Sequence, residues 1–482
     1  MIHDPNAPVV VGAAAVNQHV DDPHQAHDAL TLMREALTAA ADDAGSTALL
    51  AAATVLLVPQ GTWVAANPAE QIAPWNPAIR SIVADIGVLQ QTLVSRACAL
   101  VAAGRAEVVL VAGGEAKFRT LRALITGVSL DDPVTVGGPT ERMVPAHEII
   151  TQEEIGRGLP VPARQYAMID TAMRAHDGWT PGQHIDHLAE LQSRFSEVAA
   201  HNPQAWSHRA VDPAEIGDTP MFAWPYTKLH CSQWNVDQAA GLIVCSAAAA
   251  DRFGVGADRR VFAHVGVESN LMVPMTRRAA IHRSPAVAVT ADAVRAHTGA
   301  NPSQIEHLEL YSCFPAAVRV QAREMAIDLD RQLTITGGMT FGGGPLNNAT
   351  LQALVRMVHV LRDDPDSLGM VTNVSGMLTK FGASVWSCRP PASPYTSVDV
   401  TDAATAVTEV VDVEPGYRGR VEVITYTVAH DRGAPVQGVI VGRTDAGTHV
   451  VAATTDESIM HDMLGNDWCG RRVGVDAAAL VH

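Results

Sequence analysis

Residues 337–351 read GGMTFGGGPLNNATL. Five glycines and a proline crowd into this stretch, and apolar residues at helical spacing follow directly over 349–361. Glycine lets main chain approach main chain or a ligand where a Cβ would clash. A helix N-terminus behind such a turn offers unpaired N–H groups to an oxyanion or a thioester carbonyl. The pattern predicts either a small-molecule site on the loop face of an α/β sheet or a tight turn between packed layers. The rest of the chain decides between them.

Upstream, apolar runs at 8–15, 53–59 and 107–114, with a weaker one at 81–86, read as strands. Helical spacing at 28–44 and 90–103 separates them. This alternation predicts a buried, mostly parallel sheet with helices on both faces. Residues 115–235 break the rhythm. They are rich in Pro, His, Arg and Trp, with helical stretches at 164–175 and 185–200, and read as an inserted loop or lid domain. The alternation then resumes, with strands at 261–267, 305–310, 367–373 and 381–388 and helices at 286–298, 315–327 and 349–361. The segment QQTLVSRACALVAAGRAEVVLVAGG is echoed by NATLQALVRMVHVLRDDPDSLGMVTNVSG. Internal similarity of this kind points to two tandem βαβαβ halves.

After Pro390, Pro391 and Pro394 the texture changes to alternating strands at 420–429, 436–443 and 449–454, then a short helix and a last strand at 469–475. That is the order of an OB-like β-barrel. The chain thus divides into a first half (1–114 and 236–260), the insert (115–235), a second half (261–390) and the barrel (395–482).

Composition narrows the function. The 482 residues carry a net charge of −17, which weighs against nucleic acid and anionic membrane as bulk partners. The barrel, with 13 acidic and 6 basic residues beyond Pro394, is a poor single-strand binder. No apolar run approaches the ~18 residues of a membrane span, and no basic flank precedes the first apolar run as in a signal peptide. Six cysteines without a CxxC pair read as reduced thiols of a cytoplasmic protein, not as a disulfide frame or zinc site. No ligand set converges on a metal. Only three of the 34 basic residues are lysine, at 117, 228 and 380. All three fall near the predicted loop face, where a compact cation suits a phosphate or a Schiff base.

Three segments carry a family resemblance over residues 1–390. Gly337-Gly338, MTFG and Gly343-Gly344-Pro345 match without a gap the thiolase pattern GG, four small or apolar residues, then G-H-P. ELYSCFPA (309–316) resembles the thiolase NEAF loop, and more closely the HDCF loop of sterol-carrier-type thiolases. AGRAEVVLVAGGE resembles the segment after the thiolase nucleophile, with a weaker match at NVDQAAG (235–241). The chain therefore resembles the thiolase superfamily and, with its C-terminal extension, the mycobacterial thiolase-like proteins of type 1, a group commonly named acetyl-CoA acetyltransferase. The resemblance implies a five-layer αβαβα thiolase fold and a coenzyme A thioester as ligand, with no further cofactor. The oligomeric state stays open between monomer and homodimer.

The same resemblance shows what is missing. The thiolase nucleophile, a cysteine at the start of the buried first-half helix, corresponds to Gly87 or Val88. The GHP histidine corresponds to Gly344, and the NEAF asparagine or HDCF histidine to Tyr311. The second cysteine falls near Asn373 to Ser375. Groups that act as a coupled set lose orders of magnitude in rate when one is removed, so ordinary thiolysis is not expected. Gly87, Val88, Gly343, Gly344, Asn373 and Ser375 are then binding candidates, with Lys228 from the end of the insert. Tyr311, Cys313 and His230 are the catalytic candidates. A phenol at the loop position can donate to a carbonyl or act as an acid, as the thiolase-like steroid side-chain aldolases are thought to do with tyrosines. Two readings follow: a non-thiolytic binder of acyl-CoA, or an enzyme of altered mechanism on CoA thioesters.

Overall fold

The strands of the first half are apolar at nearly every position because both of their faces are covered. The structure, a computed structural model, describes residues 4–132, 135–477 and 479–481; Met1–His3, which begin the N-terminal stretch read above, lie outside the described residues. Strands β1 (Pro8–Asn17), β2 (Val55–Pro59), β3 (Arg80–Ala84), β4 (Val108–Ala116) and, after the insert, β8 (Asp237–Ser246) form this half. Successive side chains point to opposite faces of a strand. Accordingly Val9, Leu56, Leu110 and Ile243 enter one core, and Val10, Leu57, Val109 and Leu242 another. Helix α1 (Ala29–Asp43) lays Met33, Leu37 and Ala40 on the first. The second core receives both α2 (Gln90–Ala102) and α7 (Ala349–Asp363), through Leu93, Ala97, Leu351, Leu354 and Val358. Each fully buried Leu or Val contributes about 1.5–3 kcal/mol.

The second half repeats the plan. β9 (Val261–Ser269), β11 (Gly369–Ser375) and β12 (Lys380–Ser387) share the α2–α7 core on one face, and β10 (His307–Glu309) pairs with β11 at the edge. The other face is covered by α5 (Pro285–Thr298) and α6 (Pro315–Glu324), with α3 (Pro162–Asp177) and α4 (Pro181–His201) of the insert joining the same cluster. Two buried helices thus lie between two half-sheets, each covered outside by further helices. The expected αβαβα layering is present.

The sheet runs β10-β11-β12-β9-β1-β8-β4-β2-β3-β5, where β5 is Glu141–Met143 of the insert. It is mixed, in contrast to the mostly parallel sheet that the alternation predicted. β8 is antiparallel to both β1 and β4, and β12 to both β9 and β11. In each half a strand re-enters from the opposite end and splits a set that would otherwise be parallel. Nothing in the local pattern of a fully buried strand encodes its direction.

The chain beyond Pro394 first returns to the body. β13 (Thr396–Asp399) pairs in parallel with β9, and α8 (Thr401–Val407) follows it. The second sheet starts later. β14 (Arg418–Asp431), β15 (Ala434–Arg443), β16 (His449–Thr454), β17 (Arg472–Asp476) and β18 (Ala479–Val481) run in the order β15-β16-β18-β17-β14, and β14 pairs back with β15. The ring closes around Val421, Val423, Tyr426, Ile440, Val450 and Met463, with α9 (Glu457–Gly465) against it. Two short insert strands, β6 (Met221–Ala223) and β7 (Tyr226–Thr227), join this sheet beside β14. Among the described residues no helix is long and apolar enough to cross a membrane.

Candidate functional site

The glycine stretch sits where both buried helices begin, and its own main chain is largely engaged. Buried Glu309 fixes the approach to it, accepting from Ile335 N (2.8 Å), Thr336 N (3.0 Å) and the Thr336 hydroxyl (2.8 Å). Burial raises this carboxyl, and those donors oppose the rise. Gly338–Gly342 winds into a single π turn. Two pieces of the insert then clamp the stretch. Ser207 N donates to Phe341 O (2.9 Å), Trp206 N to Gly342 O (3.0 Å) and Gln233 N to Met339 O (3.0 Å), while Gly344 N donates to Gln233 O (2.9 Å). Gly343 has φ 106°, and a Cβ there would lie 2.1 Å from Gln238 Oε1, so only glycine fits. At Gly344 a Cβ would meet Met339 O and Ser232 Cβ, each at 3.1 Å. The end of the insert thus packs tightly against Gly344.

One N–H in the first turn of each helix is taken by a side-chain amide. Gln90 Oε1 accepts from Thr350 N in the first turn of α7 (2.8 Å), and Asn373 Oδ1 accepts from Gln91 N in the first turn of α2 (3.3 Å). Asn373 Nδ2 completes the link by donating to Thr350 Oγ1 (2.8 Å). A thiolase cysteine at the start of α2 would draw on those N–H groups and the positive end of the helix dipole. Here a neutral amide takes one of them, at Gln91.

Most of the predicted positions come together around this point. Ser375 Oγ donates to Gly87 O (3.2 Å), joining two of them directly, with Val88 next in the chain. Tyr311 N donates to Thr372 Oγ1 (2.8 Å), one residue from Asn373. Tyr311 and Gly343 line a cavity of about 20 Å³ together with Met339, Thr350, Gln352 and Arg356. It has room for one water-sized guest. Burial, reinforced by neighbouring Cys313, pushes the Tyr311 phenol well above its ordinary range, so it is a proton donor and not a base.

Other candidates are placed differently. Cys313 is buried and pushed up to about 12 by burial, against the opposing effect of Tyr166. Cys231 beside it is also pushed up to about 12, by burial and by Cys313. Neither is an activated thiolate. His230 is 1% exposed and turns back on its own loop, its Nδ1 facing Thr227 N (3.1 Å) and Oγ1 (2.9 Å); burial lowers it to about 4. Lys228 lies exposed on the same loop and is not brought to the cavity.

Two residues of this region escaped the sequence reading, and a third was raised there only as one of three lysines near the loop face. Gln90 and Gln238 carry no signal beyond being polar within apolar segments. Lys380 did carry one, as a rare lysine. Its side chain is 2% exposed, and its Nζ donates to Gly87 O (2.9 Å).

Tandem halves around two buried helices, a glycine turn at their N-termini and an appended barrel define a thiolase-fold protein with an additional C-terminal unit. Residues 399–478 match the family model of the thiolase-like protein type 1 additional C-terminal domain. Among solved structures, the chain is similar to a monomeric SCP2-thiolase-like protein type 1 from Mycobacterium smegmatis, at 24% identity and a TM-score of 0.83 over 98% of both chains. It is also similar to the Ltp2-ChsH2(DUF35) aldolase, at 20% identity and a TM-score of 0.60 over 80% of this chain and 99% of that one. A third similar structure is an acetyl-CoA acetyltransferase from Syntrophomonas wolfei, at 16% identity and a TM-score of 0.56 over 80% of this chain and all of the other. No curated protein sequence matches the chain.

Proposed function

We propose that this protein binds an acyl-CoA or a similar thioester at the thiolase-type site and does not transfer the acyl group by a cysteine–histidine mechanism. One observation carries the reading. The helix ends that would serve a nucleophile are instead joined by Gln90 and Asn373, around a site whose loops and glycine turn are otherwise kept. The groups that remain at the cavity suit recognition of a carbonyl oxygen better than proton abstraction, since Tyr311 is held protonated. The six cysteines are all free, which suits a reducing cytoplasm. Titration calorimetry with coenzyme A and a series of acyl-CoA esters tests the proposal. Saturable binding with neither release nor consumption of free thiol is expected. Absence of binding at millimolar ester overturns it, and so does steady thiolysis.

A second reading is favoured by Tyr311 itself, a phenol at the loop position of the thiolase Asn or His, in a chain whose fold is shared with a thiolase-fold aldolase. A retro-aldol reaction on a β-hydroxyacyl-CoA would break its Cα–Cβ bond, release an aldehyde or ketone and leave a shortened acyl-CoA whose α-carbon takes up the hydroxyl proton, and Tyr311→Phe would abolish that release while leaving ester binding in place.

A further inference from the structure

Lys380 begins strand β12 at the point where β11 turns back. Its ammonium is buried, and Gly87 O is its one hydrogen-bond acceptor among the described residues. No carboxylate lies within ion-pair distance of it among those residues. An ammonium has three N–H donors, so two are unspent. Burying a charge with so few partners is costly, and burial indeed lowers the Lys380 ammonium. The same Gly87 carbonyl accepts from Ser375, and Gly87 is the loop position just before α2. Apolar side chains stand beside the two glycines that flank it: Pro145 Cγ and Ile149 Cγ2 lie 3.2 Å and 3.7 Å from where a Gly87 Cβ would sit, and Ile149 Cγ2 lies 3.7 Å from that of Gly376. A buried cation with spare donors gains more from a ligand oxygen than the same cation in water.

We propose that Lys380 is the ligand-oxygen anchor of this site: one N–H stays on the Gly87 carbonyl and a second donates to the carbonyl oxygen of a bound thioester. The assignment rests on the acyl-thioester reading above and adds the group that tells an ester from its carbonyl-free analogue. Ser375 holds the shared carbonyl in place, and the segment carrying Pro145 and Ile149 is the cover that the ligand displaces.

Calorimetry on the full chain with acetyl-CoA and S-ethyl-CoA, which differ only by CH₂ for C=O, tests this. A hydrogen bond to a charged donor predicts that the thioester binds roughly 10- to 100-fold more tightly. Lys380→Met is expected to bind both compounds equally, at the thioether level. Isotope-edited infrared with carbonyl-labelled acetyl-CoA gives a reading on the unaltered protein, in which the bound carbonyl stretch falls below its value in water. Equal affinities in the unaltered protein, an unshifted carbonyl, or discrimination that survives Lys380→Met overturns the role of Lys380 and leaves ester binding standing. Failure of both compounds to bind overturns the two proposals together.

Discussion

Asn373 shows how one side chain can close a site. It stands where the resemblance puts a thiolase acid–base cysteine, is fully buried, and ties the first turn of α2 to that of α7 through its two amide atoms. Asn373→Ala leaves the Gln91 N–H and the Thr350 hydroxyl without that partner. A buried group so stranded costs about 1–3 kcal/mol, and urea unfolding is expected to show a loss of that size. Gly344 makes the complementary point. Restoring the histidine there with Gly344→His sets a Cβ against Met339 O and Ser232, and overpacking of this kind costs about 1–3 kcal/mol. The double variant Val88→Cys with Gly344→His is expected to show a lowered midpoint in thermal melting and no thiolysis of acetoacetyl-CoA in an assay that follows consumption of free coenzyme A thiol. At this scale the vacancies of the thiolase set were legible, because identity at a motif position is a property of sequence. What fills them was not. Gln90, Gln238 and the end of the insert reach the site from 100 or more residues away along the chain, and no local spacing encodes those meetings.

At the scale of elements, the insert is fastened to the second half through charge. Asp170 of α3 is fully buried and pairs with Arg319 of α6, with His184 Nε2 of α4 (3.2 Å) and with the Tyr226 hydroxyl (2.6 Å). Burial alone would raise its carboxyl, but Arg319 and His184 outweigh burial and hold it well below the usual carboxylate range. Arg319→Ala strands a buried carboxylate, for which a loss of about 3–5 kcal/mol is expected. Hydrogen exchange should rise first in α3 and α4. The histidines of the same region set a pH limit. Burial lowers His230 to about 4 from an ordinary 6.5 and also lowers His184, against the pull of Asp170. Such groups bind more protons unfolded than folded between those values, so stability is full above about pH 6.5 and falls toward pH 4. The slope is about 1.4 kcal/mol per pH unit for each such histidine. Urea midpoints measured from pH 7.5 to 4.5 are expected to fall steadily; a flat profile would show that these side chains are hydrated.

The whole molecule is three parts held by the insert. Arg174 of α3 makes two bonds to Asp467 of the barrel (2.8 and 2.6 Å), the Thr425 hydroxyl donates to Met168 O, and β6 pairs with β14. Trp224 of the insert stacks on Tyr426 at 4.9 Å and is part of the barrel's core. A chain ending at Val413 therefore loses a wall of the insert as well as the barrel. Amides of 221–227 are expected to exchange at near-solvent rates in that truncation and slowly in the full chain. The main strands and helices of the two halves, their tandem order and the barrel were readable from the sequence, because hydrophobic period and turn residues act over a few neighbours, while short elements such as β5, β6, β13 and α8 were not. Lys380 was visible there as one of three lysines near the predicted loop face, with nothing to single it out from the other two. Strand direction, the return of 396–407 to the body, the lodging of β6 in the barrel sheet and the burial of Lys380 against Gly87 arise only when distant segments pack. The 337–351 stretch shows the division plainly. Its glycines announce a close approach of chain to chain, but which chains approach, the ends of the insert at 206–207 and 232–233, is decided by tertiary contacts that the stretch itself does not contain.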